Sequence, residues 1–391
     1  MLDLTQIAQQ MQGISQHLTQ EATATRQRLE LAQRLLAQVG EQQAHLVQMQ
    51  ETWRDRLGFS AAIPIEPLAT RIDLDAAPAC HTVIATDGSQ IAPSHHEIAY
   101  CYLINVGRVV LHYGQNRYPL MDSRPEVFYR PEDLYTCRQW GLRTEEWMGY
   151  QRTVSEAVAL AELASSASPP SPTLAMVDGS LIYWFLESIP AEARDRILLP
   201  ILQAWEQLQQ ANVPLVGYLS ASRSGESLNF LRLKACPYGE PDCATHCPGQ
   251  TDRAPCQVLD PLKDTAFWAT LLKPGQRSPI WSSAARILDL YGPHRVYFCY
   301  VHVGHEIARI EFPAWVAAEA TLLQTALSLA LTQVQKGYGY PVTLAEAHNQ
   351  AVVRGGDRAR FFALLEQQMI RTGLRNIGPS YKETRKRGSI A

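Results

Sequence analysis

No stretch of the 391-residue chain reaches the ~18 uninterrupted apolar residues that a membrane-spanning helix needs. No span is therefore expected. The N-terminus, Met1-Leu-Asp-Leu-Thr-Gln, lacks the basic and apolar regions of a secretory signal, and the expected location is the cytoplasm. Net charge is only −3, too small for a chain-wide field that attracts polyanions, so any such surface must be local. Proline is absent from residues 1 to about 57, a segment rich in Gln, Leu, Ala and Arg. There Ile7, Met11, Ile14 and Leu18, then Leu29, Ala32, Leu36 and Val39, recur at helical steps. The pattern predicts a long helix or helical hairpin broken near Gly40. It is either a dimerisation or docking arm or a helix packed on its own domain.

Composition is otherwise ordinary, 46% hydrophobic and 19% charged, and the length suits one large domain or two ordinary ones. Its most informative feature is an Asp-Gly-Ser tripeptide that occurs twice after an apolar run. The first lies in His81-Thr-Val-Ile-Ala-Thr-Asp87-Gly88-Ser89, the second in Thr173-Leu-Ala-Met-Val-Asp178-Gly179-Ser180. Each reads as a buried strand that stops on a carboxylate. Two acids on neighbouring strand ends repel unless a cation sits between them, which suits Mg²⁺ or Mn²⁺ and phosphodiester chemistry. A pair of ordinary Asp-Gly turns is the competing reading.

After Asp87, residues 98–107 and 108–114 read as two strands joined by a turn around Gly107. Three antiparallel strands that open with an acid are how ribonuclease H-like folds begin. A helix over 141–165 returns the chain to the Asp178 strand. Then come a helix near 190–210, strands at 213–220, 295–303 and 307–313, a helical stretch at 315–335, and a helix carrying His348. The expected fold class is α/β, a ribonuclease H-like mixed sheet flanked by helices, with an N-terminal helical arm and a Cys-rich insertion. The expected division is an arm over 1–60, a ribonuclease H-like domain over 80–360 containing the insertion at 236–275, and a C-terminal helix with a basic tail over 361–391.

Two aspartates are an incomplete site for a divalent cation; a third carboxylate and a histidine commonly complete one. Glu156 lies on the helix between the two Asp strands, four positions after Arg152 on the same face. Glu162 is its rival, and a solvated glutamate is the bland reading of either. His348 follows Pro341 and Thr343, which mark a helix start with Thr343 as the cap. As a neutral imidazole it can ligate a metal or carry a proton; alone, it reads as a histidine at the edge of a core.

Taken together, these segments resemble the NurA family of DNA end-processing nucleases. The resemblance rests on Asp87-Gly-Ser, Val177-Asp178-Gly-Ser-Leu181, Val216-Gly-Tyr-Leu-Ser-Ala-Ser222-Arg223-Ser224, Ile307-Ala-Arg309-Ile-Glu311-Phe-Pro313 and Tyr340-Pro-Val-Thr-Leu-Ala-Glu-Ala-His348. It implies an acid-rich, Mn²⁺-preferring site in which Asp87 and Asp178 bind metal and His348 is the C-terminal active-site histidine. Glu156 matches the intervening glutamate better than Glu162 does. It further implies hydrolysis of single-stranded DNA, 5′-to-3′ resection of duplex ends in double-strand break repair, and a homodimer docked on a HerA-type hexameric helicase-translocase. A catalytically silent scaffold and an RNA-directed nuclease are the alternatives.

Arg223, in a small polar loop after a strand, is a candidate for phosphate contact. Arg309 and Glu311 share one strand face and either line a DNA groove or pair across the sheet. The basic C-terminus, Arg371 through Arg387, either tracks a DNA backbone or is a solvated tail.

The eight cysteines fall into two groups. Cys80, Cys101, Cys137 and Cys299 are scattered, mostly in apolar settings that suit buried thiols. Cys236, Cys243, Cys247 and Cys256 cluster in one polar stretch, which without an export signal favours a metal over disulfides. With His246 nearby they can bind Zn²⁺ or carry an iron–sulfur cluster, although no pair of Cys-x-x-Cys knuckles is present. Incidental loop thiols are the competing reading.

Overall fold

The computed structural model describes residues 3–373 apart from 96, 167–170 and 251–252; most of the basic tail lies outside the described residues. The chain forms two compact units. One comprises Met1–Leu74 with Tyr218–Glu311, the other Asp75–Gly217 with Phe312–Ala391. Among the described residues no helix is long and apolar enough to cross a membrane.

In the second unit a mixed sheet carries both Asp-Gly-Ser segments. His81–Ile91 pairs antiparallel with Tyr102–Tyr113, which pairs antiparallel with Leu120–Phe128. On its other side His81–Ile91 runs parallel to Thr173–Asp178, and Leu215–Leu219 lies beyond. The inner strands read Val83-Ile84-Ala85 and Leu174-Ala175-Met176, all fully buried, because a sheet covered on both faces has no solvated side to alternate with. Two helices pack together in this unit, Thr144–Ser166 and Ala191–Gln210. The helix carrying His348, Val342–Ala351, packs on the first two strands.

Two features differ from the sequence reading. Gly107 is not a turn but the middle of one continuous strand, opposite Asp87 in register. Its missing side chain serves a close approach: a Cβ there would collide with the Ala347 carbonyl and lie 2.5 Å from the Ala351 nitrogen. The third antiparallel strand is Leu120–Phe128, a mostly exposed edge strand whose Pro125 is tolerated there. Arg108 and Asp122 face each other in its register and form a two-pronged ion pair at 2.6 and 2.8 Å.

In the other unit the N-terminal pattern becomes a helical hairpin, Leu4–Gly40 and Gln43–Trp53. Ala32, Leu35, Val39 and Leu46 are buried with Leu228, Phe230, Trp268, Trp281, Phe298 and Tyr300. The second half of the long helix is thus part of this unit's core. Leu4, Met11, Ile14 and Leu18 in the first half remain exposed. Short antiparallel pairings complete the unit: Trp281–Ser282 pairs with both Ile63–Pro64 and Val296–His302, with Ile307–Pro313 beside the latter.

The tight seat under the His348 helix yields a test. Gly107→Ala should cost about 2 kcal/mol or more of stability, since overpacking a backbone contact leaves little room to relax. Denaturant unfolding measures this, and an unchanged midpoint would show that the helix does not rest on Gly107.

Candidate active site

The parallel register aligns the two acids. Ala85 pairs with Met176, and Asp87 and Asp178 each stand two residues further along, hence on one face of the sheet. There the strands part. Thr173–Asp178 ends at its acid, whereas His81–Ile91 continues through Gly88 and Ser89, still paired with Leu103–Val106. The first acid is therefore set within a strand rather than at its end. The place where parallel strands separate is where open α/β sheets leave a crevice.

The same tripeptide uses its glycine for two different reasons. Gly179 has φ +113°, a conformation that other residues rarely adopt. Gly88 instead clears space: a Cβ there would collide with Glu156 Oε1 and sit 2.6 Å from Arg152 Cγ. The Glu156 carboxylate consequently reaches the strand carrying Asp87. Thr86 fixes the helix in place by donating from Oγ1 to the Glu156 carbonyl at 2.9 Å.

Glu156 lies in a field of like charge. Burial above all, and then the charges of Asp87 and Asp178, raise its carboxyl from 4.5 to about 7. Arg152, with Nε 3.3 Å from Glu156 Oε1, opposes the shift only in part. Glu162 is elsewhere: its carboxylate pairs with Arg124 on the edge strand. Of the two rival glutamates, Glu156 is the one beside the aspartates.

His348 joins them from the far end of the chain. Its Nδ1 lies 2.8 Å from Asp87 Oδ2, and its side chain is 65% exposed. Both ends of its helix are clamped. At the start, the buried Gln333 Oε1 accepts from the Thr343 backbone N–H at 3.2 Å and from the Thr343 hydroxyl at 2.5 Å. Thr343 is therefore bonded to the neighbouring helix rather than capping its own, and Pro341 holds the cap position. At the other end, the Ala351 carbonyl accepts from Ser89 Oγ and, at 2.8 Å, from Asn105 Nδ2. Ser89 and Asn105 face each other in register. Their role was missed in the sequence, where the available signal is a polar residue interrupting the apolar run Leu103-Ile104-Asn105-Val106.

The two arginines proposed for DNA contact both belong to the other unit. Arg309 does not present itself to DNA: it is 2% exposed. Its guanidinium pairs with Glu311 at 2.7 Å and Glu226 at 2.8 Å and lies 3.6 Å from the centre of the Phe298 ring. An arginine so enclosed needs its carboxylate partners to offset desolvation, which corrects the groove assignment. Arg223 is exposed in its loop.

Among the described residues no three His, Cys, Asp or Glu side chains are already gathered closely enough to hold an ion. The donor chemistry nonetheless fits a hard divalent cation. Asp87 and Asp178 lie on the face that the His348 helix covers, Glu156 reaches the Asp87 strand past Gly88 from the helix on the opposite face, and carboxylate and imidazole donors suit such an ion.

A mixed sheet with acids where its parallel strands part defines an α/β protein with a carboxylate-centred site. A family model for the NurA domain matches residues 81–353. The chain belongs to the NurA family. It is also similar in structure to the NurA nuclease from Sulfolobus solfataricus, at 12% identity and a TM-score of 0.48, over 78% of this chain and 89% of that one. No curated protein matches it.

The charge crowding makes a signed prediction for metal-free protein. A carboxyl raised from 4.5 to about 7 contributes fully to stability below pH 4.5 and loses that contribution as pH climbs to 7. Glu156→Gln should unfold at nearly the parent temperature near pH 5 and be more stable near pH 8, by up to about 3 kcal/mol. Thermal melts in EDTA across that range measure the gap, and a gap that does not grow with pH contradicts the assignment.

Proposed function

We propose that this NurA-family chain is a metal-dependent deoxyribonuclease acting through Asp87, Glu156, Asp178 and His348. The observation that carries the reading is the grouping of three acids and a histidine where the two parallel strands part, with Asp87 paired to His348 and Glu156 raised to about 7 by burial and by the other two acids. Family membership supports it. The substrates proposed are single-stranded DNA and duplex ends, resected 5′ to 3′ in double-strand break repair.

Asp87, Asp178 and Glu156 would hold Mn²⁺ or Mg²⁺, which when bound stabilises charge on the phosphate and makes a bound water more acidic. Asp87 also orients His348. When Nδ1–H donates to Asp87 Oδ2, the basic lone pair is on Nε2. With the side chain largely open to solvent, Nε2 can take a proton from attacking water or return one to the leaving oxygen. Arg152, with Nε 3.3 Å from Glu156 Oε1, offsets part of the repulsion between Glu156 and the aspartates.

The partners proposed are a second copy of the chain and a HerA-type hexameric translocase. The exposed Leu4, Met11, Ile14 and Leu18 on the N-terminal helix give apolar surface for one of these contacts.

The test is cleavage of labelled single-stranded DNA, duplex DNA and RNA with Mn²⁺, Mg²⁺ or EDTA. DNA cleavage with metal and none in EDTA is expected. Asp178→Asn should lose activity by on the order of a thousandfold while keeping the parent melting temperature in EDTA to within a few degrees. No cleavage under any metal overturns the nuclease reading, RNA cleavage alone overturns the substrate, and full activity in Asp178→Asn overturns the site.

A further inference from the structure

The arginine beside the acids has donors to spare. Arg152 stands one turn before Glu156 on the helix Thr144–Ser166. Its stem packs over the strand at Gly88, where a Cβ would lie 2.6 Å from Arg152 Cγ and 2.9 Å from Cδ. The missing side chain of Gly88 therefore makes room for two neighbours, the acid and the arginine. The parallel pairing of the two Asp strands stops at Ala85 and Met176, so Gly88 lies beyond it, where the strands part.

The guanidinium is little used there. Its Nε comes to 3.3 Å from Glu156 Oε1, an ion pair without the alignment of a hydrogen bond. Among the described residues this buried Nε has no hydrogen-bond partner. Arg108, in the same unit, shows the usual alternative: Nε and Nη2 both donate to Asp122, at 2.8 and 2.6 Å. A buried N–H left without an acceptor costs free energy, and at a functional site it marks the place of an acceptor from outside the chain. The Arg152 side chain is still 37% exposed, so such a group can reach it.

Charge balance points to the acceptor. A DNA phosphate drawn to Asp87, Asp178 and Glu156 meets negative charge from all three, and one divalent cation does not neutralise three carboxylates and a phosphate. A guanidinium is permanently charged and offers a planar fork that matches two phosphate oxygens. We propose that Arg152 is a substrate-binding residue, whose guanidinium holds the non-bridging oxygens of the DNA phosphate at the acids and offsets charge that grows there in the reaction. The proposal rests on the nuclease reading above and adds to it a cation carried on the same helix as Glu156. The loose pairing with Glu156 leaves that cation free to serve a phosphate.

The rival role is charge balance for Glu156 alone, and a double-mutant cycle separates the two. Binding of fluorescein-labelled oligo(dT) to the full-length protein is followed by anisotropy in EDTA, and again with Ca²⁺, over a range of salt. Arg152→Gln should weaken binding by about tenfold. It should also reduce the slope of log affinity against log salt by ~0.7, the loss of one phosphate contact. Arg152→Lys, which keeps the charge but not the fork, should keep the slope and recover only part of the affinity. The same loss should appear when Arg152→Gln is added to Glu156→Gln, which has no carboxylate left to balance. Melting temperatures in EDTA show whether each variant is folded; if Arg152→Gln is not, parent-like affinity in Arg152→Lys is enough to overturn the proposal. A loss in the parent that vanishes beside Glu156→Gln means that the arginine serves the glutamate, and the proposal fails. Unchanged affinity and slope in folded Arg152→Gln, with DNA cleavage by the parent intact, overturn Arg152 and leave the nuclease reading standing. A parent that binds no oligonucleotide under either condition overturns both.

Discussion

The burial of Glu156 beside two other acids is the constraint on which the arrangement of the site rests. A carboxylate brought beside two aspartates is unfavourable on its own account, and it is held there by its neighbours. Gly88 gives up a side chain to admit it, Thr86 ties down the helix that carries it, and Arg152 offsets part of its charge. The result is a carboxyl that burial and its acidic neighbours keep uncharged to a higher pH than an exposed one. Stability and chemistry are opposed here, as is usual where ionisable groups are gathered for a purpose.

The histidine is handled differently. Its position is set by backbone rather than by charge: Gly107 lets the helix settle on the sheet, Gln333 secures the start and Ser89 with Asn105 the end. Only then does Nδ1 meet Asp87. One aspartate thereby touches both halves of the site, the acids and the imidazole.

Much of this is legible in the sequence, and the failures have physical causes. The apolar runs before Asp87 and Asp178 announce buried parallel neighbours, and the step from Arg152 to Glu156 announces one helix face. Gly107 misleads because glycine marks a turn and a close backbone approach equally well, and the helix it makes room for begins 235 residues later. The strand Leu120–Phe128 is hard to see because an exposed edge strand shows no burial alternation. The sequence leaves Arg309 between a DNA groove and an ion pair because two of the groups that enclose it, Glu226 and Phe298, lie on other elements. Glu156 and Glu162 differ by contacts to strands outside their own helix, which no local pattern encodes.

The pair formed by Asp87 and His348 joins residues 261 positions apart, and the whole of Tyr218–Glu311 is made between them. On the ribosome the three acids are therefore all in place in the chain long before their imidazole partner is translated. The helix that delivers it cannot be clamped until Ala351 has also emerged. An abortive product that stops between residues 179 and 347 carries all three carboxylates and lacks His348. The site is complete only once the helix Val342–Ala351 has been made.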